Sequence, residues 1–236
     1  MESRESRESR ESRESGEHPN SIRTYKLRGA RITPAQEGAI ERLGERFLLP
    51  ASHHDPIEVR KIFPNAKRRV LEIGSGMGEA TAEMAQAEPD TAIIAIEVHK
   101  PGVGSLLWRI EKMGLQNIRI VHGDVKEILE NKFVNESFDE IRIYFPDPWQ
   151  KLRHHKRRLL QGDFIPLLAT KLVFNGLLHI ATDWQPYAKW IEAEFAHVPQ
   201  FVGGVVERPT HRPLTRFEEQ GLTKEHQVTD FFYYKR

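Results

Sequence analysis

Val70-Leu71-Glu72-Ile73-Gly74-Ser75-Gly76-Met77-Gly78 is the stretch that decides the reading of this chain. A short apolar run carrying one acid opens into glycines at alternate positions, the pattern of a buried strand that turns sharply into a helix. Glycine allows backbone conformations closed to other residues and lets a ligand lie against the main chain before the helix begins. The run therefore reads as a nucleotide-cofactor site. A dinucleotide fold wants G-x-G-x-x-G, whose third glycine falls where this chain has Glu79, and an acidic side chain there serves a phosphate poorly.

Two further strand patterns end in acids. Ala92-Ile93-Ile94-Ala95-Ile96-Glu97 places Glu97 nineteen positions after Gly78, close to the offset of about 20 at which a carboxylate accepts from ribose hydroxyls. Ile118 to Val121 runs into His122-Gly123-Asp124, where an acceptor would meet an adenine amino group. Asp124 also stands where it would cap a helix from Val125 to Leu129. The form E-x-G-x-G-x-G resembles the first motif of S-adenosylmethionine-dependent methyltransferases, whose ligand carries no phosphate. On that resemblance Glu72, Gly74, Gly76, Gly78, Glu97 and Asp124 are the expected cofactor contacts.

Around this motif the composition is that of a soluble enzyme of one main domain. Of 236 residues, about 200 have globular character, enough to bury on the order of 70% of the unfolded surface. No apolar stretch approaches the roughly 18 residues of a membrane span, and the charged N-terminus lacks the apolar segment of a signal peptide, so a cytoplasmic protein is expected. Without cysteine there is no disulfide, thiolate metal site or cysteine nucleophile. His53-His54 and His154-His155 are adjacent pairs that do not share a helix face, so no metal is expected. The net charge of +1 matters less than its distribution.

Residues 1–20 read as a disordered tail: the first 15 are nearly pure Glu-Ser-Arg repeats with no apolar residue after Met1 to bury. Residues 21–50 read as a basic arm followed by a helix. Ile22 to Arg31 carries four cations and a tyrosine, and Thr33-Pro34-Ala35-Gln36 is a helix start with Thr33 as N-cap and Gln36 closing a capping box; the helix is expected to end near Phe47. Residues 51–236 then alternate strands and helices, an α/β pattern of doubly wound, mostly parallel sheet. Helices are expected over Glu79–Gln86, Pro101–Lys112, Val125–Leu129, Phe164–Leu172 and Trp184–Phe195. The later strands are Glu140–Phe145, Leu177–Ala181, Val202–Val206 and Val228–Tyr234, with a long polar connection before the last.

The fourth strand runs into Tyr144-Phe145-Pro146-Asp147-Pro148-Trp149-Gln150-Lys151-Leu152-Arg153-His154-His155-Lys156-Arg157-Arg158. With the glycine motif and Thr215-Arg216-Phe217-Glu218, this segment resembles the bacterial tRNA (guanine-nitrogen-7) methyltransferases, which modify nucleotide 46 in the variable loop; the resemblance runs from about Arg23 to Tyr234. It implies a Rossmann-like, seven-stranded methyltransferase sheet, mostly parallel with an antiparallel last strand, S-adenosylmethionine as cofactor, tRNA as partner, and no obligatory protein subunit. It adds Asp147 to the cofactor contacts and makes it the catalytic residue. Substrate contacts are implied at Lys151, Asp183, Thr215, Arg216, Phe217 and Glu218. Gly29-Ala30-Arg31 departs from the second arginine-rich turn of relatives, which weakens the case for RNA contact by the arm.

The residues carry this chemistry on their own terms. Guanine offers acceptors at O6 and nitrogen 7 on one edge and donors at ring nitrogen 1 and its amine on another. Asp147, between two prolines, is suited to accept from that donor pair, which adenine lacks. Nitrogen 7 has a free lone pair, so methyl transfer needs no general base. The work is alignment at about 3–3.5 Å and stabilisation of the charge moving onto the purine, a role for Asp147 or Asp183. Lys151 to Arg158 holds five Lys or Arg and two His in eight residues, so Arg153, Lys156, Arg157 and Arg158 are expected to meet phosphates. Trp149 is placed either to stack on a base or to sit in the core. Two alternatives remain: a methyltransferase acting on another RNA or on a small molecule or protein, of which the last two have no use for the basic run, and an inert RNA-binding module, which has no use for the acids around a cofactor pocket.

Overall fold

The computed structural model describes residues 22–26, 31–51, 56–210, 212–213, 218 and 227–236. Thr33 starts the first helix, α1 (Pro34–Phe47), as a capping box: its hydroxyl accepts from the Gln36 N–H at 3.3 Å and the Gln36 side chain accepts from the Thr33 N–H at 2.9 Å. The elements that follow are β1 (Leu48–Leu49), α2 (Val59–Ile62), β2 (Arg68–Ile73), α3 (Glu79–Ala87), β3 (Thr91–Glu97), α4 (Lys100–Met113), β4 (Ile118–His122) and α5 (Val125–Asn131). Then come β5 (Phe138–Tyr144), a 3-10 turn (Leu152–Arg157), α6 (Phe164–Lys171), β6 (Leu172–Thr182), α7 (Gln185–Phe195), β7 (Phe201–Val206) and β8 (Thr229–Lys235).

The strands form one sheet in the order β1-β4-β3-β2-β5-β6-β8-β7. The first six are parallel, and β8 runs antiparallel between β6 and β7. Apolar side chains cover both faces. One core joins β2, β3 and β4 to α1, α3 and α4, and the other joins the sheet to α5, α6 and α7, which is why strands such as Thr91–Glu97 are buried along their whole length. None of the described helices is long and apolar enough to cross a membrane.

The expected methyltransferase-type sheet is present, with one strand more than seven. The extra strand, β1, is a two-residue edge pairing Leu48 with Ile120 and Leu49 with Val121. Two residues show no alternation in sequence, so only the tertiary pairing reveals them. Strand β6 also starts five residues earlier than Leu177, because Val173–Gly176 bulges out opposite Asp139, with Asn175 at φ 59. Asn-Gly is turn chemistry that the strand absorbs.

The chain winds outward from β2 to β3 and β4, then returns to β5 on the other side of β2. The carboxyl ends of β2 and β5 therefore flank the crevice where an open α/β sheet binds its ligand. The glycine run leaves β2 and the Pro-Asp-Pro turn leaves β5.

Candidate functional site

Gly74, Gly76 and Gly78 all have positive φ, at 80, 57 and 74°. Their roles differ. A Cβ on Gly74 or Gly76 would meet nothing within 4 Å, so their backbone faces open space, whereas a Cβ on Gly78 would lie 2.7 Å from Leu106 Cβ. Gly78 is glycine because α3 begins against α4. It does not line the cavity, which holds about 250 Å3 and is walled by Gly74, Gly76, Glu97, His99, Gly123, Tyr144 and Asp147 among others. Ile73, Ile96, Val125 and Leu159 supply an apolar side.

The acids expected at the cofactor separate into distinct positions. Glu97 is on the cavity wall, and its carboxylate accepts from the Gly76 N–H at 2.7 Å and the His99 N–H at 2.8 Å. A carboxylate offers about four lone-pair sites, so it can accept from several donors at once. Asp124 is the N-cap of α5, accepting from the Lys126 N–H at 2.8 Å. Its neighbours Gly123 and Val125, not its own carboxylate, line the cavity.

Glu72 lies off the wall altogether, because it alternates with Ile73 and projects to the other face of the sheet, towards α3. Its Oε2 and the Thr81 and Ser75 hydroxyls lack hydrogen-bond partners among the described residues. Burial pushes the Glu72 carboxyl up to about 7, with the positive charge of Arg142 opposing the shift. Because that lies above the ordinary 4.5, folding takes up a proton between those values and stability falls as pH rises through them. Glu72→Gln removes the titration, so its stability relative to the parent should rise by up to about 3 kcal/mol across that window. Urea unfolding at about pH 4.5 and about pH 8 measures this; the same difference at both would refute the shift.

Asp147 sits on the cavity wall in a turn entered by Phe145 at φ 51 and left by Trp149 at φ 45. Positive φ at bulky residues is strained, and the turn is held from several sides. The Phe145 N–H donates to Ala181 O at 2.8 Å. The indole N–H of buried Trp149 donates to Thr24 O at 3.0 Å, so Trp149 takes the core role and does not stack on a base here. Thr24 to Lys26 of the N-terminal arm lie against the site. Thr24 and Tyr25 line the cavity, while Asp147 accepts from the Lys26 N–H at 3.0 Å and pairs with its ammonium at 3.3 Å. Sequence reasoning found the arm's charge and missed this contact.

The basic run divides by orientation. Lys151 is exposed just before the 3-10 turn, Arg153 and Lys156 are exposed on it, and Arg157 lies over the Trp149 ring at 5.0 Å. Arg158 corrects the expectation of phosphate contact: it is buried, donates to Pro148 O at 3.0 Å and packs over Trp190 and Tyr187. It pins the far side of the Asp147 turn.

Glu218 is likewise buried, gripped by Arg208 and Arg212, and in this arrangement is an anchor and not an open contact. Asp183 is half-buried just beyond the carboxyl end of β6. Thr215, Arg216 and Phe217 lie outside the described residues. The structure thus brings Gly74, Gly76, Glu97 and Asp147 to one cavity.

Residues 66–231 match the family described as "Putative methyltransferase". The tRNA (guanine-N(7)-)-methyltransferase of Nitrosomonas europaea is 47% identical over 219 residues, covering 92% of this chain and 97% of that protein. The enzyme of the same name from Streptomyces avermitilis is 46% identical over 90% of this chain and 74% of its own length. Among solved structures, the 16S rRNA methyltransferase KamB superposes with a TM-score of 0.57 at 14% identity, covering 75% of this chain and 91% of its own. That likeness is one of fold.

Proposed function

The chain belongs to the tRNA (guanine-N(7)-)-methyltransferase family, and from that premise we propose that it moves the methyl group of S-adenosylmethionine to nitrogen 7 of guanosine 46 in the variable loop of tRNA. The observation that carries this is the placement of Asp147 and Glu97 on the wall of one cavity beside the glycine backbone.

The residues fit the cofactor. Gly74 and Gly76 leave open space against the main chain, Glu97 brings acceptors for ribose hydroxyls, and the apolar side suits a purine ring. The volume falls just short of the roughly 300–1,000 Å3 of ligand pockets, with the arm's Thr24 and Tyr25 forming part of the wall. When bound, S-adenosylmethionine supplies an electrophilic methyl group on a sulfonium.

Asp147 selects the base. The arm shows what its carboxylate takes: two N–H donors from Lys26, one to each oxygen. Guanine's ring N–H and amine present the same kind of donor pair, and adenine does not. The negative charge also stabilises the cation that develops on the purine. No side chain has to remove a proton from nitrogen 7. A loop nucleotide is easier to extrude than one within a duplex.

Exposed Arg153 and Lys156 are placed to meet phosphates beside the site. Replacing both by Ala should weaken tRNA binding without moving the methylated position, and flatten log affinity against log salt by roughly 0.7–0.9 for each phosphate no longer neutralised. An unchanged slope would reduce the pair to a solvated face. The function itself is tested by incubating the protein with labelled S-adenosylmethionine and unmodified tRNA and mapping the label. A methyl group on nitrogen 7 of guanosine 46 supports the reading; label confined to another atom or nucleotide, or none, refutes it.

A further inference from the structure

A connected set of polar side chains is shut inside the protein behind the Asp147 turn. Arg212, Glu218, Asp230 and His179 are each at most 2% exposed. Arg212 donates to Asp230 through Nε at 2.9 Å and Nη2 at 3.0 Å, and to Glu218 through Nη1 at 2.6 Å and Nη2 at 3.0 Å. Arg208 grips Glu218 at 2.7 Å and the Arg212 carbonyl at 2.8 Å. From Asp230 the bonds continue to His179 Nε2 at 2.8 Å, and from His179 Nδ1 to the Tyr144 hydroxyl at 2.9 Å. A carboxylate only accepts, so Nε2 carries the proton. Burial lowers the His179 pKa and keeps the ring neutral, so Nδ1 accepts from the Tyr144 O–H.

This set ends on the active-site strand. Tyr144 lines the cavity, and the Arg212 guanidinium lies 5.9 Å from the Tyr144 ring centre and 5.6 Å from that of Phe145. Phe145 is the left-handed residue from which the turn to Asp147 springs. Buried ion pairs return little net stability, because desolvation offsets their attraction, but a fully satisfied network holds one geometry.

We propose that Arg212 is a positioning residue for methyl transfer: clamped by Asp230 and Glu218 and linked through His179 to Tyr144, it fixes Tyr144 and Phe145 and thereby the direction in which Asp147 meets guanine. This rests on the role given to Asp147 above. Asp147→Asn, assayed beside these variants, tests that role separately, so the two failures are distinguishable.

The test uses Tyr144→Phe and Glu218→Gln, which cut the network at its two ends with little change of size, alone and together, beside Arg212→Ala. Single-turnover rates are taken at saturating S-adenosylmethionine and tRNA, with cofactor affinity by calorimetry. Each single variant should slow transfer about 10-fold and Arg212→Ala about 100-fold, with cofactor affinity within about 3-fold of the parent. The double variant should be slowed far less than the product of its singles, because both cut one chain of hydrogen bonds. Parent rates in the singles with only a lowered melting temperature, or singles that multiply fully in the double, would overturn the proposal. If Arg212→Ala does not fold, the two near-isosteric variants carry the test.

Discussion

Asp147→Asn should slow methyl transfer on the order of 100-fold or more when S-adenosylmethionine and tRNA are both saturating, a loss of about 3 kcal/mol of transition-state stabilisation. The amide keeps the size of the side chain and one acceptor, loses the charge, and turns an N–H donor toward groups that are themselves donors. Those groups are visible already in the Lys26 N–H and ammonium. Single-turnover assays isolate this effect from tRNA binding. A variant that methylated at the parent rate under those conditions would make Asp147 a turn residue and shift attention to Asp183.

Glu97→Ala should instead abolish most cofactor affinity, by 100-fold or more and thus about 3 kcal/mol, as expected for losing charged hydrogen bonds. The side chain has two jobs. It faces the cavity, and it fixes the loop by accepting from Gly76 and the start of α4 by accepting from His99. On the proposed reading, removing it takes away a ribose acceptor and releases the main chain against which the cofactor would lie. Calorimetry with S-adenosylmethionine measures this; unchanged affinity would remove Glu97 from the cofactor site. Asp147→Asn should lose much less affinity in the same titration, since the glycine backbone and Glu97 remain.

That Glu97 and Asp147 meet at one cavity was legible because their signals are local. Glu97 ends a fully apolar strand at the offset from the glycines that a ribose contact requires, and Asp147 is fixed between prolines at another strand end. The sheet was legible for the same reason, since buried parallel strands are continuous apolar runs broken by turn residues. What escaped depends on which way a side chain turns. Glu72 belongs to the right strand, but the period of two sends it to the opposite face from the cavity. Arg158 is one cation in a run of cations, and nothing in that run marks the one the 3-10 turn folds inward against Trp190. Arg212 meets Glu218 and Asp230, 6 and 18 positions along the chain, and Lys26 meets Asp147 across 121. Such pairings leave no periodicity.

The central claim is that nitrogen 7 of one guanine, held in this cavity, receives the methyl group. Two tRNA transcripts test it, one with guanosine at nucleotide 46 and one with 7-deazaguanosine there, identical on the donor edge and lacking only the nitrogen. With labelled S-adenosylmethionine, the first should take up one methyl group per tRNA and the second none, while binding the protein equally well. Equal labelling of the two transcripts would contradict the account.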